Sequence, residues 1–322
     1  SNFLNKSYNL NGSEWSSENL YTLGTRVNKT YIRVEADEVT YPLHIILRFN
    51  LEKSLIDKSL KTKDIPEAWN EEFKKLFGIK VNGEVFDLNT CKNVSDFKRE
   101  LNMKEGLYKR SFKAVLPNDA HIKVDVFRFL SLNIDEVGAI EYTVTALGSD
   151  LEIEMEPYID SGITNEDSNW DDKFWETTSV KSENHQAFIE AHTMKTNFKT
   201  CTFMQASFFV DGEAVELEPS IDKGELRVGH SYSQALKEGQ TIALHKFGGY
   251  IVDRNHPGKD LVKVAQETLS KASELGFDEL LKKQKQSWAD IWEMSDIAIE
   301  GDVKAQQGIR FNIFYSRICF KY

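Results

Sequence analysis

The chain has 322 residues, of which 40% are hydrophobic and 11% aromatic, so it can bury the core of one large domain or two ordinary ones. Its formal net charge of −11 is compatible with a neutral sugar but argues against nucleic acid, whose phosphates require a local excess of lysine and arginine. No apolar run reaches the roughly 18 residues of a membrane span. We therefore predict a globular chain with no nucleic-acid partner and no membrane partner.

The N-terminus lacks a basic segment followed by an apolar one, so it shows no signal peptide. This leaves open a cytoplasmic location, or a periplasmic one if a signal peptide was removed. The cysteines Cys91, Cys201 and Cys319 are far apart and have neither the spacing of a disulfide framework nor that of metal ligands. We predict free buried thiols, no metal and no cofactor.

The first part of the chain is polar and then helical. Residues 1–27 contain few large apolar anchors, whereas Leu43, Ile46 and Leu47 fall at helical spacings. Asp64 is followed by a proline in the first turn, which is typical of a helix start. The pattern predicts an α-hairpin within residues 28–79.

From residue 80 the pattern changes to short strands. Asn82 and Gly83 supply one hairpin turn and Gly106 another. Residues 97–112 read as a strand, the turn at Gly106 and the start of a second strand, and further strands are predicted at residues 121–129, 139–145, 151–157, 187–194, 200–210, 226–234 and 241–252. Since no helix separates successive strands, the fold class is mainly β, a large antiparallel β-sandwich over residues 80–256.

The C-terminal part is helical again. Asp260 begins a helix that ends near Gly276, and Asp278 caps a second one within residues 257–300. Trp288 and Trp292 are four residues apart, which places both on one helix face and predicts core anchors.

A family resemblance is carried by Arg-Glu-Leu-Asn-Met at residues 99–103, the hairpin before it, and the Leu-Gly stretch at residues 19–24. Through these segments, residues 80–314 together with residues 15–25 resemble the glycoside hydrolase family 65 enzymes, which include maltose, trehalose and kojibiose phosphorylases and hydrolase relatives. In this family a sandwich and linker helices precede an (α/α)6 barrel. The resemblance implies that residues 1–27 are a partial start of the sandwich and residues 301–322 the truncated first helix of the barrel.

Family 65 enzymes invert the configuration at the anomeric carbon. A carboxylic acid of the barrel protonates the leaving oxygen, while phosphate or water attacks the opposite face of the sugar. The resemblance places this acid and the phosphate-binding residues in the barrel, so no catalytic residue is assigned to this chain.

Residues 28–78 carry a second resemblance, to the metallocarboxypeptidases of the carboxypeptidase Taq type. Its motif is present as Ile32, Arg33, Ala36 and Asp37, and a Pro-Glu-Ala-Trp stretch follows downstream. None of the seven histidines lies in the His-Glu-x-x-His pattern that such a zinc peptidase needs. Under this alternative Arg33 could hold a substrate carboxylate; otherwise it forms surface ion pairs with nearby acidic residues.

The acidic and aromatic loop at residues 160–175 is the best candidate for contact with a ligand. Aromatic rings could stack on sugars, and polar side chains could bond hydroxyl groups. The candidate residues are Asp160, Asn165, Asp167, Trp170 and Trp175. The alternative is a loop folded on itself, with its aromatic side chains packed against the sandwich.

Three functional hypotheses remain. The first is the non-catalytic N-terminal region of a family 65 glycoside phosphorylase or hydrolase acting on α-linked disaccharides, without its catalytic barrel. The second is a stand-alone carbohydrate-binding or assembly module, with a homodimer or a barrel-bearing protein as its partner. The third is a fragment of a zinc metallocarboxypeptidase fused to a sandwich. The abrupt pattern changes near residues 26 and 79 favour a recombined or frameshifted reading frame.

Overall fold

The computed structural model describes residues 78–162 and 174–319. The predicted α-hairpin and the polar segment before it therefore lie outside the described residues. The strands are β1 (Ile79–Val81), β2 (Glu84–Val85), β3 (Asn93–Asn102), β4 (Leu107–Val115), β5 (His121–Leu130), β6 (Val137–Leu147), β7 (Leu151–Met155), β8 (Tyr158–Asp160), β9 (Trp175–Glu183), β10 (Gln186–Thr193), β11 (Lys199–Val210), β12 (Glu213–Val215), β13 (Ser220–Lys223), β14 (Arg227–Leu236) and β15 (Thr241–Val252). The helices are α1 (Leu261–Ser295) and α2 (Val303–Cys319).

The strands form two antiparallel sheets. The nine-stranded sheet has the order β3-β4-β5-β6-β15-β11-β10-β9, with β12 paired to β11. The six-stranded sheet has the order β13-β14-β7-β1-β2, with β8 paired to β14. The prediction of a mainly β, antiparallel sandwich followed by helices is confirmed.

Alternation along β5 shows how the nine-stranded sheet is buried on both faces. Ile122, Val124 and Val126 are buried in the core between the two sheets. Phe129 points to the opposite face and contacts Phe277 of α1, with ring centroids 5.5 Å apart. Because successive side chains of a strand point to opposite faces, one strand can contribute to both cores.

Helix α1 covers the outer face of the nine-stranded sheet. The Asp260 carboxylate caps it by accepting hydrogen bonds from the backbone N–H of Val262 and Lys263, at 3.0 and 3.2 Å. Gly276 interrupts the helical geometry with φ 71° and ψ 171°. The predicted start at Asp260 and the break at Gly276 are therefore both found, and the helical segments on either side of this kink form one element.

The turn between β3 and β4 rests on the second half of α1. The Trp288 ring is 1% exposed and lies directly against Gly106, while the indole N–H of Trp292 donates to the Met103 carbonyl at 3.1 Å. The Gln284 side chain accepts from the backbone N–H of Leu132 at 2.8 Å. Trp288 and Trp292 thus anchor the helix, as the sequence predicts.

Strand β3 forms one edge of the nine-stranded sheet and is irregular. Its register with β4 shifts between Ser95 and Lys98, where Asp96 adopts φ 54°. The Asp96 carboxylate pairs with the ammonium group of Lys113 at 2.8 Å. This is the geometry of a β-bulge at a sheet edge.

Strands β8, β9, β12 and β13 were not predicted. Strand β9 has mostly polar, exposed side chains without a continuous alternation, and the other three have three or four residues. Their pairing is set by neighbouring strands, a tertiary effect that a local pattern does not record.

Substitution of Gly106 tests the contact between the turn and α1. Gly106 has φ 63°, and a Cβ there would lie 1.8 Å from the Trp288 Nε1. We expect Gly106→Ala to lower the free energy of unfolding by about 1–2 kcal/mol through left-handed strain and by a further ~1–3 kcal/mol through overpacking. Urea denaturation measures the loss.

Gly148→Ala is the matched control. Gly148 has φ 73° and nothing within 4 Å of a Cβ, so only the strain contribution is expected. Equal losses in the two variants would contradict the assigned contact.

Candidate functional site

The structure describes the two ends of the predicted sugar-binding loop. Asp160 is the last residue of β8 and Trp175 the first residue of β9. The other candidates, Asn165, Asp167 and Trp170, lie outside the described residues, as does Arg33.

Hydrogen bonds hold the base of this loop. The Ser161 backbone N–H donates to the Leu226 carbonyl at 2.8 Å, and the Ser161 hydroxyl lies 2.7 Å from that of Thr177. One Asp160 carboxylate oxygen accepts from the Gly162 backbone N–H at 2.6 Å. The loop therefore leaves the sandwich where β8 and β14 of one sheet meet β9 of the other.

Aromatic side chains stand at the same place. Trp175 is 42% exposed and meets Phe198 edge to face, with ring centroids 6.4 Å apart. Phe174 and Met194 are also exposed. They are neighbours, because the Met194 backbone N–H donates to the Phe174 carbonyl at 2.9 Å. One of the two described candidates, Trp175, thus has an apolar face available for stacking.

Next to the loop base, cations flank Tyr158. The Arg227 guanidinium lies 4.4 Å from the Tyr158 ring centroid, and Lys246 donates from Nζ to the Tyr158 carbonyl at 2.7 Å. Burial lowers the pKa of Lys246 to about 8. Glu156 and Asp222 pair with Arg227. No local sequence pattern predicts this cluster, because its members come from three separate segments, at residues 156–158, 222–227 and 246.

Histidines connect the two sheets at their β9 and β14 ends. His230 is fully buried, and its Nε2 lies 2.8 Å from the Ser182 hydroxyl. The Nδ1 of His185 lies 3.1 Å from the hydroxyl of Tyr232. Burial, reinforced by His185, lowers the pKa of His230. These contacts join the sheets by hydrogen bonds between side chains.

Two other histidines bind carboxylates. His245 Nε2 lies 2.8 Å from Glu141, and His256 Nε2 lies 2.6 Å from Glu136. Within residues 78–162 and 174–319 there is no group of three or more histidine, cysteine or acidic side chains that could hold a metal ion. Cys201 is buried without a disulfide, and burial raises the pKa of its thiol to about 12.

Helix α2 packs against the end of α1. Phe314 stacks on Trp288 at a centroid distance of 4.7 Å. Arg310 binds both carboxylate oxygens of Asp296, at 2.9 and 2.7 Å. Neither helix is both long and apolar enough to cross a membrane.

Comparison with known families decides the relationship. Residues 75–291, well over half of the chain, match the family described as glycosyl hydrolase family 65, N-terminal domain. The chain belongs to this family. Residues 2–85 match the family described as carboxypeptidase Taq (M32) metallopeptidase, so the second resemblance is also confirmed.

Family 65 relatives cover the same part of the chain. Maltose phosphorylase from Bacillus subtilis (strain 168) is 32% identical over 237 residues, which are 74% of this chain and 30% of that protein. A solved structure assigned as a kojibiose phosphorylase, from the human microbiome, has a TM-score of 0.63 and 26% identity, and covers 74% of this chain and 30% of its own. The chain thus spans about a third of the length of the phosphorylases it matches.

The N-terminal similarity is shorter. Thermostable carboxypeptidase 1 from Pyrococcus furiosus is 44% identical over 68 residues, which are 21% of this chain and 14% of that protein.

The buried His230 predicts a pH dependence of stability. Its folded pKa lies below the unfolded value of about 6.5, so between the two values the unfolded state binds more protons. This contribution is fully present above about pH 6.5 and is lost as the pH falls toward the folded pKa. We expect the free energy of unfolding to fall by up to ~1.4 kcal/mol per pH unit in that window.

His230→Asn should flatten this dependence in denaturation curves recorded from pH 5 to 7.5. His121→Asn is the control, because His121 is exposed at the start of β5. A pH profile that is unchanged in the His230 variant would show that another group titrates.

Proposed function

We propose that this chain is the non-catalytic N-terminal sandwich and linker of a family 65 glycoside phosphorylase or hydrolase that acts on α-linked disaccharides. The observation that carries the proposal is the match of residues 75–291 to the N-terminal domain of that family. The relatives named as phosphorylases support the substrate class.

The described carboxyl groups with shifted pKa values are compatible with a non-catalytic role. A general acid in glycoside cleavage needs a raised pKa so that it is protonated at working pH. Among the described residues, every carboxyl group with a shifted pKa has it lowered, because hydrogen-bond donors or cations outweigh the opposing effect of burial. These groups are Asp96, Asp119, Asp150, Glu154, Asp211 and Asp296.

The role proposed for the sandwich is to position a helical partner. Helix α1 has 35 residues, and would be about 50 Å long if straight. It is fixed to the nine-stranded sheet along its first half and to the β3–β4 turn along its second. We assign α2 as the first helix of the (α/α)6 barrel, since Phe311 and Tyr315 on it are 46% and 57% exposed and stack on each other.

A second candidate function is a stand-alone carbohydrate-binding or assembly module. The exposed Trp175 and Phe174 at the loop base favour it. The third candidate, a zinc carboxypeptidase, has the match of residues 2–85 in its favour, but the sequence contains no His-Glu-x-x-His motif.

Turnover measurements test the proposed function. The purified chain is incubated with inorganic phosphate and maltose, trehalose or kojibiose, and release of glucose 1-phosphate is followed. We expect none above background, with an intact family 65 phosphorylase as the positive control. Phosphorolysis by the chain alone would overturn the non-catalytic assignment, and zinc-dependent release of a C-terminal amino acid from a peptide would establish the peptidase function.

Tryptophan fluorescence tests the binding-module alternative. If the loop base binds maltose, titration quenches the emission, and Trp175→Ala weakens the apparent affinity by about tenfold, which is the loss expected from ~1–1.5 kcal/mol of aromatic stacking. Tyr250→Ala, another exposed aromatic position, serves as the control. Absence of quenching in the unmodified chain favours the scaffold function.

A further inference from the structure

Three arginines on adjacent strands point to the same side of the nine-stranded sheet. Arg99 on β3 is the direct cross-strand partner of Arg110 on β4. Arg128 on β5 is opposite Tyr108, which lies two residues before Arg110 on β4. Direct and diagonal cross-strand positions are neighbours on one face of a sheet, so the three side chains form one cluster of cross-strand neighbours.

The cluster lies at the exposed end of the inner face of β5. Alternation along β5 places Arg128 on the side of Val124 and Val126, which are buried in the core between the sheets. Arg99 and Arg128 themselves are exposed. Arg99 and Arg128 are therefore accessible from solvent, and the half-buried Arg110 lies between them.

No carboxylate neutralises the cluster within the described residues: none lies within ion-pair distance of the three guanidinium groups, although the chain carries 51 acidic residues against 40 basic ones. Like charges directly opposite each other in a sheet are destabilising. The Nε of Arg110 is also buried without a hydrogen-bond acceptor. An anion from outside the described chain would offset these like charges.

Aromatic rings contact two of the three arginines. The Arg128 guanidinium lies 4.4 Å from the Tyr108 ring centroid, and that of Arg110 lies 5.5 Å from Phe112. Tyr142 on β6 lies close to Arg110. Burial raises the pKa of the Tyr142 phenol, and the positive charge of Arg110 opposes that rise. The cations are thus partly oriented before any anion binds.

We propose that Arg99, Arg110 and Arg128 form a binding site for a phosphoryl oxyanion, either inorganic phosphate or a sugar phosphate monoester. A planar guanidinium group donates two parallel hydrogen bonds to such an oxyanion, and several such forks match its oxygen atoms. The site lies on the sandwich and does not rest on the proposed function.

Calorimetric titration with inorganic phosphate tests the proposal at constant ionic strength, with chloride as the balancing anion. We expect saturable binding with one site per chain, and at least tenfold weaker binding in the double variant Arg99→Gln/Arg128→Gln. The control is Lys98→Gln/Arg254→Gln, which removes two exposed cations outside the cluster. Its affinity should stay within about twofold of that of the parent chain.

A parallel titration with glucose 1-phosphate separates the two sources of the oxyanion. Tighter binding of the monoester indicates a sugar phosphate, and equal or weaker binding indicates phosphate itself. No saturable binding of either compound, or equal weakening in both double variants, would overturn the proposed site. Neither result depends on whether the chain turns over a disaccharide.

Thermal unfolding distinguishes a binding role from a structural one. Without phosphate, Arg99→Gln should not lower the unfolding midpoint, because it removes repulsion with Arg110. Phosphate should raise the midpoint of the parent chain and leave that of the double variant unchanged. A lower midpoint in Arg99→Gln without phosphate, together with an unchanged response to phosphate, would show a structural role and overturn the proposal.

Discussion

Burial of the nine-stranded sheet on both faces is the constraint on which the rest of the structure depends. One face packs against the six-stranded sheet, and the other against α1. A strand such as β5 must therefore be apolar at both even and odd positions over part of its length. This requirement fixes the register of the central strands, because a shift by one residue would exchange the two cores.

The same constraint explains how the helices are held. Helix α1 supplies the apolar side chains that cover the outer face of the sheet, so its first half belongs to the domain core. Its second half contacts the β3–β4 turn through Trp288 and Trp292, and the Trp288 ring also stacks on Phe314 of α2. The position of α2 is thus determined by packing that begins in the sandwich. That continuity is the physical basis for the scaffold role proposed for this family 65 domain.

Local sequence signals predicted the parts of the fold that local chemistry determines. The turns at Asn82-Gly83 and Gly106, the cap at Asp260 and the break at Gly276 each follow from one or two residues, and the long strands follow from alternation. Strand β9 was not predicted because most of its side chains are polar. The arginine cluster was not predicted because its members become neighbours only when β3, β4 and β5 pair in register. Of the predicted ligand-binding residues, Trp175 is exposed, whereas one carboxylate oxygen of Asp160 accepts a hydrogen bond from the backbone N–H of Gly162.

The bulge in β3 has a consequence for how copies of this domain can meet. An edge strand normally presents a regular row of backbone donors and acceptors to any strand that approaches. In β3 the shifted register after Ser95 and the positive φ of Asp96 interrupt that row. Lys92 and Lys98 lie on either side of the interruption. Continuous addition of a foreign strand at this side is therefore disfavoured. Among the described strands, the β3 edge of the nine-stranded sheet is thus protected from edge-to-edge pairing by geometry and charge at one short segment.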